Sequence, residues 1–112
     1  MSNYVVVIMT ASTEKEATKI VRCLLDEKLI ACANIIGPVS SLFWWKNKID
    51  ETTEFLVLMK SHSKLFDKLA KRVKAVHSYE VPEILAVPIL KGSPPYLSWL
   101  ANNLQSRSGA GG

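Results

Sequence analysis

The chain has 112 residues, 48% of them hydrophobic and 21% charged. That is one domain able to bury about two-thirds of its unfolded surface, and it excludes wholesale disorder. No apolar run approaches the ~20 residues that cross a bilayer. Residues 5–9 are too short, and lack the basic flank, for the core of an export signal, so a cytoplasmic chain without a membrane partner is expected. The net charge is +4, but residues 60–74 alone hold six basic side chains against Asp67, leaving the remainder slightly negative. Basicity confined to one segment reads as the solvated face of a helix, so no nucleic-acid partner is expected.

Residues 4–9 are apolar throughout and rich in β-branched side chains, the pattern of a covered central strand. Thr13 and Glu16 then form a capping box, in which the Thr13 hydroxyl caps the Glu16 amide while Glu16 reaches back. Ala17, Ile20, Val21, Leu24 and Leu25 make one stripe of an amphipathic helix over about 14–28. Residues 29–36 read as a second strand. Gly37-Pro38 interrupts it as a bulge, bend or edge, and the pattern resumes over 39–45. Residues 46–50 are a polar connection, and 53–60 complete a long hairpin.

Ser61 or Ser63 can cap a second helix that turns Leu65, Phe66, Leu69, Ala70, Val73 and Val76 inward and its lysines outward. Residues 84–89 form a further strand. Ser93-Pro94-Pro95 opens a short helix with Tyr96, Leu97, Leu100, Ala101 and Leu104 on its apolar side. The order β-α-β-β-α-β plus a short C-terminal helix is the α+β, ferredoxin-like split βαβ pattern. It occupies residues 1–105 and leaves 106–112 as a Gly-rich flexible tail.

Leu42 and Trp44 alternate with Phe43 and Trp45, and Phe55, Val57 and Met59 alternate with Leu56 and Leu58. Both faces of the hairpin are therefore apolar, while two helices can cover only one. The expected solution is packing of the sheet against copies of itself in a closed cyclic assembly.

The fold class serves many functions. The third strand carries one aromatic and no glycine, unlike an RNA-stacking strand. Residues 10–13 lack the Gly and Arg of a phosphate cradle, and no P-loop, dinucleotide, nucleophile-elbow or zincin motif occurs. Cys23 and Cys32 form no metal-ligand cluster and read as free thiols. Cys32 sits in a buried-strand context, where a thiol is inert, so neither His62 nor His77 completes a nucleophilic pair and no enzyme is expected. The polar set that stands out is His77-Ser78-Tyr79-Glu80-Val81-Pro82-Glu83, between the second helix and the last strand. It reads either as a functional loop or as a tight turn with solvated carboxylates.

With these segments in order, the chain resembles the CutA family of divalent-cation-tolerance proteins. The motifs are residues 29–35 (LIACANI), 41–46 (SLFWWK) with Ile49 and Glu51, then Glu54 and Lys60, then 77–84 (HSYEVPEI) with Pro88-Ile89, and 96–100 (YLSWL). The resemblance spans about residues 5–104. It implies a stable homotrimer joined through its sheets, similar in outline to PII signalling proteins, and a role in tolerance of copper and other divalent metals. It also implies metal ligands at Met9 and His77, where Met9 occupies the family's Cys position and Val76-His77 its His pair. A thioether suits Cu(I); without the resemblance, Met9 reads as a core methionine. Finally, it implies a cleft between subunits built from Cys32, Trp45, Glu54, Lys60, Tyr79, Pro82 and Glu83. Lys60 and Glu54 are six apart on one strand and so share a side. That set suits a small anionic ligand or, equally, a polar network that fixes trimer register. The competing functional class is a trimeric interaction platform that binds no metal.

Overall fold

A computed structural model describes residues 3–106. The expected tail falls almost wholly on 107–112, outside the described residues. The elements are β1 (Tyr4–Ala11), α1 (Glu14–Asp26), β2 (Cys32–Trp45), β3 (Lys48–His62), α2 (Phe66–Val76), β4 (Ile84–Pro88) and α3 (Pro94–Asn102), with a 3-10 turn over Ser63–Leu65. The sheet order is β2-β3-β1-β4, with antiparallel neighbours throughout. The ferredoxin-like expectation is met, and β1 is central as its composition requires.

Strand alternation sorts the sheet into two faces. Val5, Val7, Met9 and Ala11 of β1, with Val57 and Met59 of β3, are buried against Ala17, Ile20, Val21 and Leu24 of α1 and Leu69 and Val73 of α2. The opposite face carries Val6, Ile8 and Thr10 beside Leu56, Leu58 and Lys60, and no helix of the α1/α2 layer lies over it.

Four local details differ from the sequence expectation. The α1 stripe ends at Leu24, since Leu25 is partly exposed and the helix stops at Asp26. Thr13 caps the Glu16 amide at 3.1 Å, but the Glu16 carboxylate does not reach back. It accepts instead from Ser12 Oγ at 3.2 Å and from the Ser78 amide at 2.8 Å. Leu29 and Ile30 are buried in a turn rather than in β2. Neither serine caps α2, which starts without a side-chain cap directly after the 3-10 turn. The His62 ring accepts from the Lys64 amide at 3.0 Å, while Ser61 is buried in β3 and donates to the Leu29 carbonyl at 2.7 Å.

The hairpin is longer than its polar middle suggested. Only Lys46 and Asn47 form the turn, with φ of 50° and 64°, the left-handed pair that matches the twist of a tight hairpin. β3 pairs with β1 only from Phe55 onward, so residues 39–54 run beyond the four-stranded sheet as a two-stranded arm. The Gly37-Pro38 interruption is a bulge, with the register shifting between Ile36 and Val39, and its peptide bond is cis.

A Cβ added at Gly37 would stand 2.5 Å from the Phe55 ring, which packs on the core. Gly37→Ala should therefore cost about 1–3 kcal/mol, the usual scale of overpacking. Chemical denaturation is the check, and Phe55→Leu in the same chain should recover part of the loss.

Candidate ligand cleft

The loop between α2 and β4 is held at its root by one imidazole. His77 is buried where α2 ends. Its Nε2–H donates to the Thr10 carbonyl at 2.8 Å, and its Nδ1 accepts from the Tyr79 amide at 3.0 Å. The acceptor at one nitrogen and the donor at the other fix the neutral Nε2–H tautomer. The Tyr79 ring packs on this imidazole, with centroids 4.7 Å apart. Glu16 ties the same loop to α1 through Ser78. Burial alone would raise the Glu16 pKa, but the Ser78 and Ser12 hydrogen bonds outweigh it and hold the carboxyl below its usual range.

So anchored, Tyr79 points across to the arm and donates through Oη to Glu54 Oε2 at 2.6 Å. Glu54 is only 7% exposed. Burial, and then the adjacent Glu54 carboxylate, push the Tyr79 phenol well above its ordinary pKa. This bond links the loop to the arm. Between them lies an open cleft of about 740 Å³. Trp45, Phe43 and Asp50 wall it on the arm side with Glu54, and Tyr79, Glu80 and Glu83 on the loop side, with Thr10 among the lining residues.

Of the seven residues expected in one cleft, the single chain brings together Trp45, Glu54, Tyr79 and Glu83, with Pro82 in the same loop. Cys32 and Lys60 do not join them. Lys60 does share the Glu54 side of β3, but six residues of strand are about 20 Å. There Cys32 and Lys60 are cross-strand partners. Lys60 Nζ donates to Asn34 Oδ1. Cys32 Sγ lies 3.4 Å from Tyr96 Oη, and this bond, with burial, pushes the Tyr96 phenol up to about 12. Tyr96 in turn stacks on Trp99 at 5.7 Å.

Asn34, Tyr96 and Thr10 were missed as site residues. Asn34 could have been found, since it alternates with Cys32 on one strand face. Tyr96, 64 positions from Cys32, carried no local signal.

Met9 is fully buried on the helix-covered face, aligned with Val57 and Ile84. With both His77 nitrogens engaged, a metal at His77 would have to displace Thr10 or Tyr79. Among the described residues, no group of three or more His, Cys, Asp or Glu side chains converges as a metal site.

A family model described as CutA1 divalent ion tolerance protein matches residues 5–103. The chain belongs to the CutA1 family. Divalent-cation tolerance protein CutA of Thermus thermophilus is 43% identical over 98 residues, covering 88% of this chain and 95% of that protein. Protein CutA of the mouse is 40% identical over 103 residues. The chain spans 58% of the mouse protein's length. Among solved structures, the Cut A1 divalent cation tolerance protein of Thermus thermophilus superposes with a TM-score of 0.88 at 42% identity, covering 90% of this chain and 98% of that one. CutA1 of Oryza sativa superposes with a TM-score of 0.90 at 36% identity, covering 93% and 95%. The CutA of Archaeoglobus fulgidus, 40% identical, is described as periplasmic.

Two outcomes follow for this CutA1-family chain. His77→Ala removes both hydrogen bonds of a buried ring and should cost about 2 kcal/mol or more in thermal or denaturant unfolding. Tyr79 has a raised pKa in the folded state, so its contribution is complete below pH 10, the phenol's ordinary value, and declines as pH rises past 10. Stability measured from about pH 8 to 11.5 should fall less steeply in Tyr79→Phe than in the parent, from a lower plateau.

Proposed function

We propose that this CutA1-family protein serves divalent-cation tolerance as a cytoplasmic, non-catalytic homotrimer that binds a small ligand in a cleft between subunits. One observation carries the reading. The arm that walls the cleft leaves Leu42, Trp44, Trp45 and Ile49 between 59% and 72% exposed, on both faces of a two-stranded ribbon. A ribbon of that composition is not stable bare in water, and a soluble chain hides so much aromatic surface against a partner. A second copy packed on the arm would close the cleft's outer side, and cyclic symmetry would satisfy every arm at once.

The two free thiols, Cys23 and Cys32, accord with a reducing compartment. The engaged state of His77 and the core position of Met9 favour ligand binding at the cleft over copper held by those two residues.

Light scattering over a dilution series should give a mass of three chains. Trp44→Asp alters a side chain that touches solvent in the single protomer, so the fold should survive. Loss of a buried aromatic anchor is worth ~2 kcal/mol or more, so the trimer should dissociate more readily by about thirtyfold. A monomer at all concentrations would sink the reading. Copper titration of the metal-free protein should show only weak uptake, unaffected by Met9→Leu; one tight ion per chain lost in that variant would restore the metal site.

A further inference from the structure

The arm is not built to stand alone. Before Phe55, β3 has no β1 beside it, so neither strand of the arm has a second neighbour. Two strands in water are marginal even with good cross-strand packing, and this pair has little. Only Trp44 and Ile49 set two large apolar side chains opposite each other. Leu42 faces Glu51, Phe43 faces Asp50, and Ser40 and Ser41 face Thr53 and Thr52. Matched cross-strand pairs are what steady a ribbon. The turn does not compensate. Its first position asks for asparagine, aspartate or glycine, and Lys46 carries a Cβ into the left-handed region at φ 50°.

Support from the core ends at the root of the arm. Phe55 packs on the core, and Glu54 is buried against Tyr79. Further out, the large apolar side chains stand in solvent unless a second copy covers them. We propose that residues 40–53 are unfolded in a separated protomer and fold as copies join, so that the cleft is a site switched on by assembly. Its loop wall, Tyr79 with Glu80 and Glu83, is ready-made, because His77 fixes the loop within one chain. Its arm wall, Phe43, Trp45 and Asp50, takes shape only against a second copy. The entropy of ordering the arm is then lost at association, as in other segments that fold on binding. This rests on the homotrimer reading and adds what assembly does to the site.

The test is amide hydrogen exchange read by mass spectrometry, with light scattering on the same samples. Leu85 is 55% exposed on the open sheet face, opposite Ile8 and off the arm. Leu85→Asp should therefore separate the copies without altering the ribbon, and Trp44→Asp is the second route to single chains. At the mass of one chain, residues 40–53 should exchange within about tenfold of the rate of an unstructured chain. In the same sample β1, α1 and α2 should stay protected, and in the parent trimer the arm should be protected as well. An arm equally protected in single chains and in the trimer overturns the proposal, because the ribbon then folds by itself. Loss of protection in β1 and α1 as well, in both variants, overturns it too, because assembly then folds the whole chain. A three-chain mass in both variants removes the arm and the open face from the interface, and the proposal with them. A monomeric parent overturns the trimer reading itself, and the scattering mass tells that failure from the others.

Discussion

Residues 39–54 continue past the end of the sheet as a ribbon two strands wide, with large apolar side chains exposed on both sides and contact with the rest of the chain at its root, where Glu54 is buried against Tyr79. The rest of the molecule answers to that constraint. The helical layer is spent on the other face of the sheet, where α1 and α2 bury the odd-numbered residues of β1 and β3. The loop after α2 reaches the arm through Tyr79, and the Tyr79–Glu54 bond is where the core's rigidity passes to the ribbon. Removing that bond leaves Glu54 buried without its donor, which costs more than the bond itself contributes.

The same bond depends on His77. A ring that donates to Thr10 and accepts from Tyr79 sets the direction of the loop, and Glu16 fixes its next amide. A histidine flagged as a metal ligand is thereby a hinge pin between β1 and the loop. Its chemistry is that of a neutral donor and acceptor, the role commonest for a buried imidazole.

Period and turn chemistry made most of the fold legible. The two-residue alternation of β1 and β3, the stripe Ala17-Ile20-Val21-Leu24 and the prolines opening α3 each carry their own physical signal, and the element order follows from them. The alternation of the hairpin predicts two apolar faces, and the arm does leave Leu42, Trp44, Trp45 and Ile49 exposed. What stayed illegible was long-range. Neither serine caps α2, which follows a 3-10 turn capped by His62, and Ser61 instead finds the Leu29 carbonyl, a contact across 32 positions. Residues 48–50, read as part of the polar connection over 46–50, belong to β3, and they escape notice because strand residues without a buried face lose their alternation. The cleft set was half legible. Tyr79 and Glu83 share a loop and Glu54 lies opposite, but a common strand face does not imply proximity, and Lys60 stands far from Glu54 for that reason.

The lysines of α2 and the turn before it gain a consequence from the layer arrangement. Lys64, Lys68, Lys71 and Lys74 are all exposed on the helical side, away from the open sheet face. Copies that meet through arms and open faces would turn these helices outward, so the finished particle would wear a lysine-rich coat over α2 beside the mixed charges of α1. Like coats repel. Assembly would then stop by itself. The apolar surface that draws copies together is used up inside, and what remains outside discourages stacking, so a chain with so much exposed tryptophan on each separate copy would still yield discrete, soluble particles.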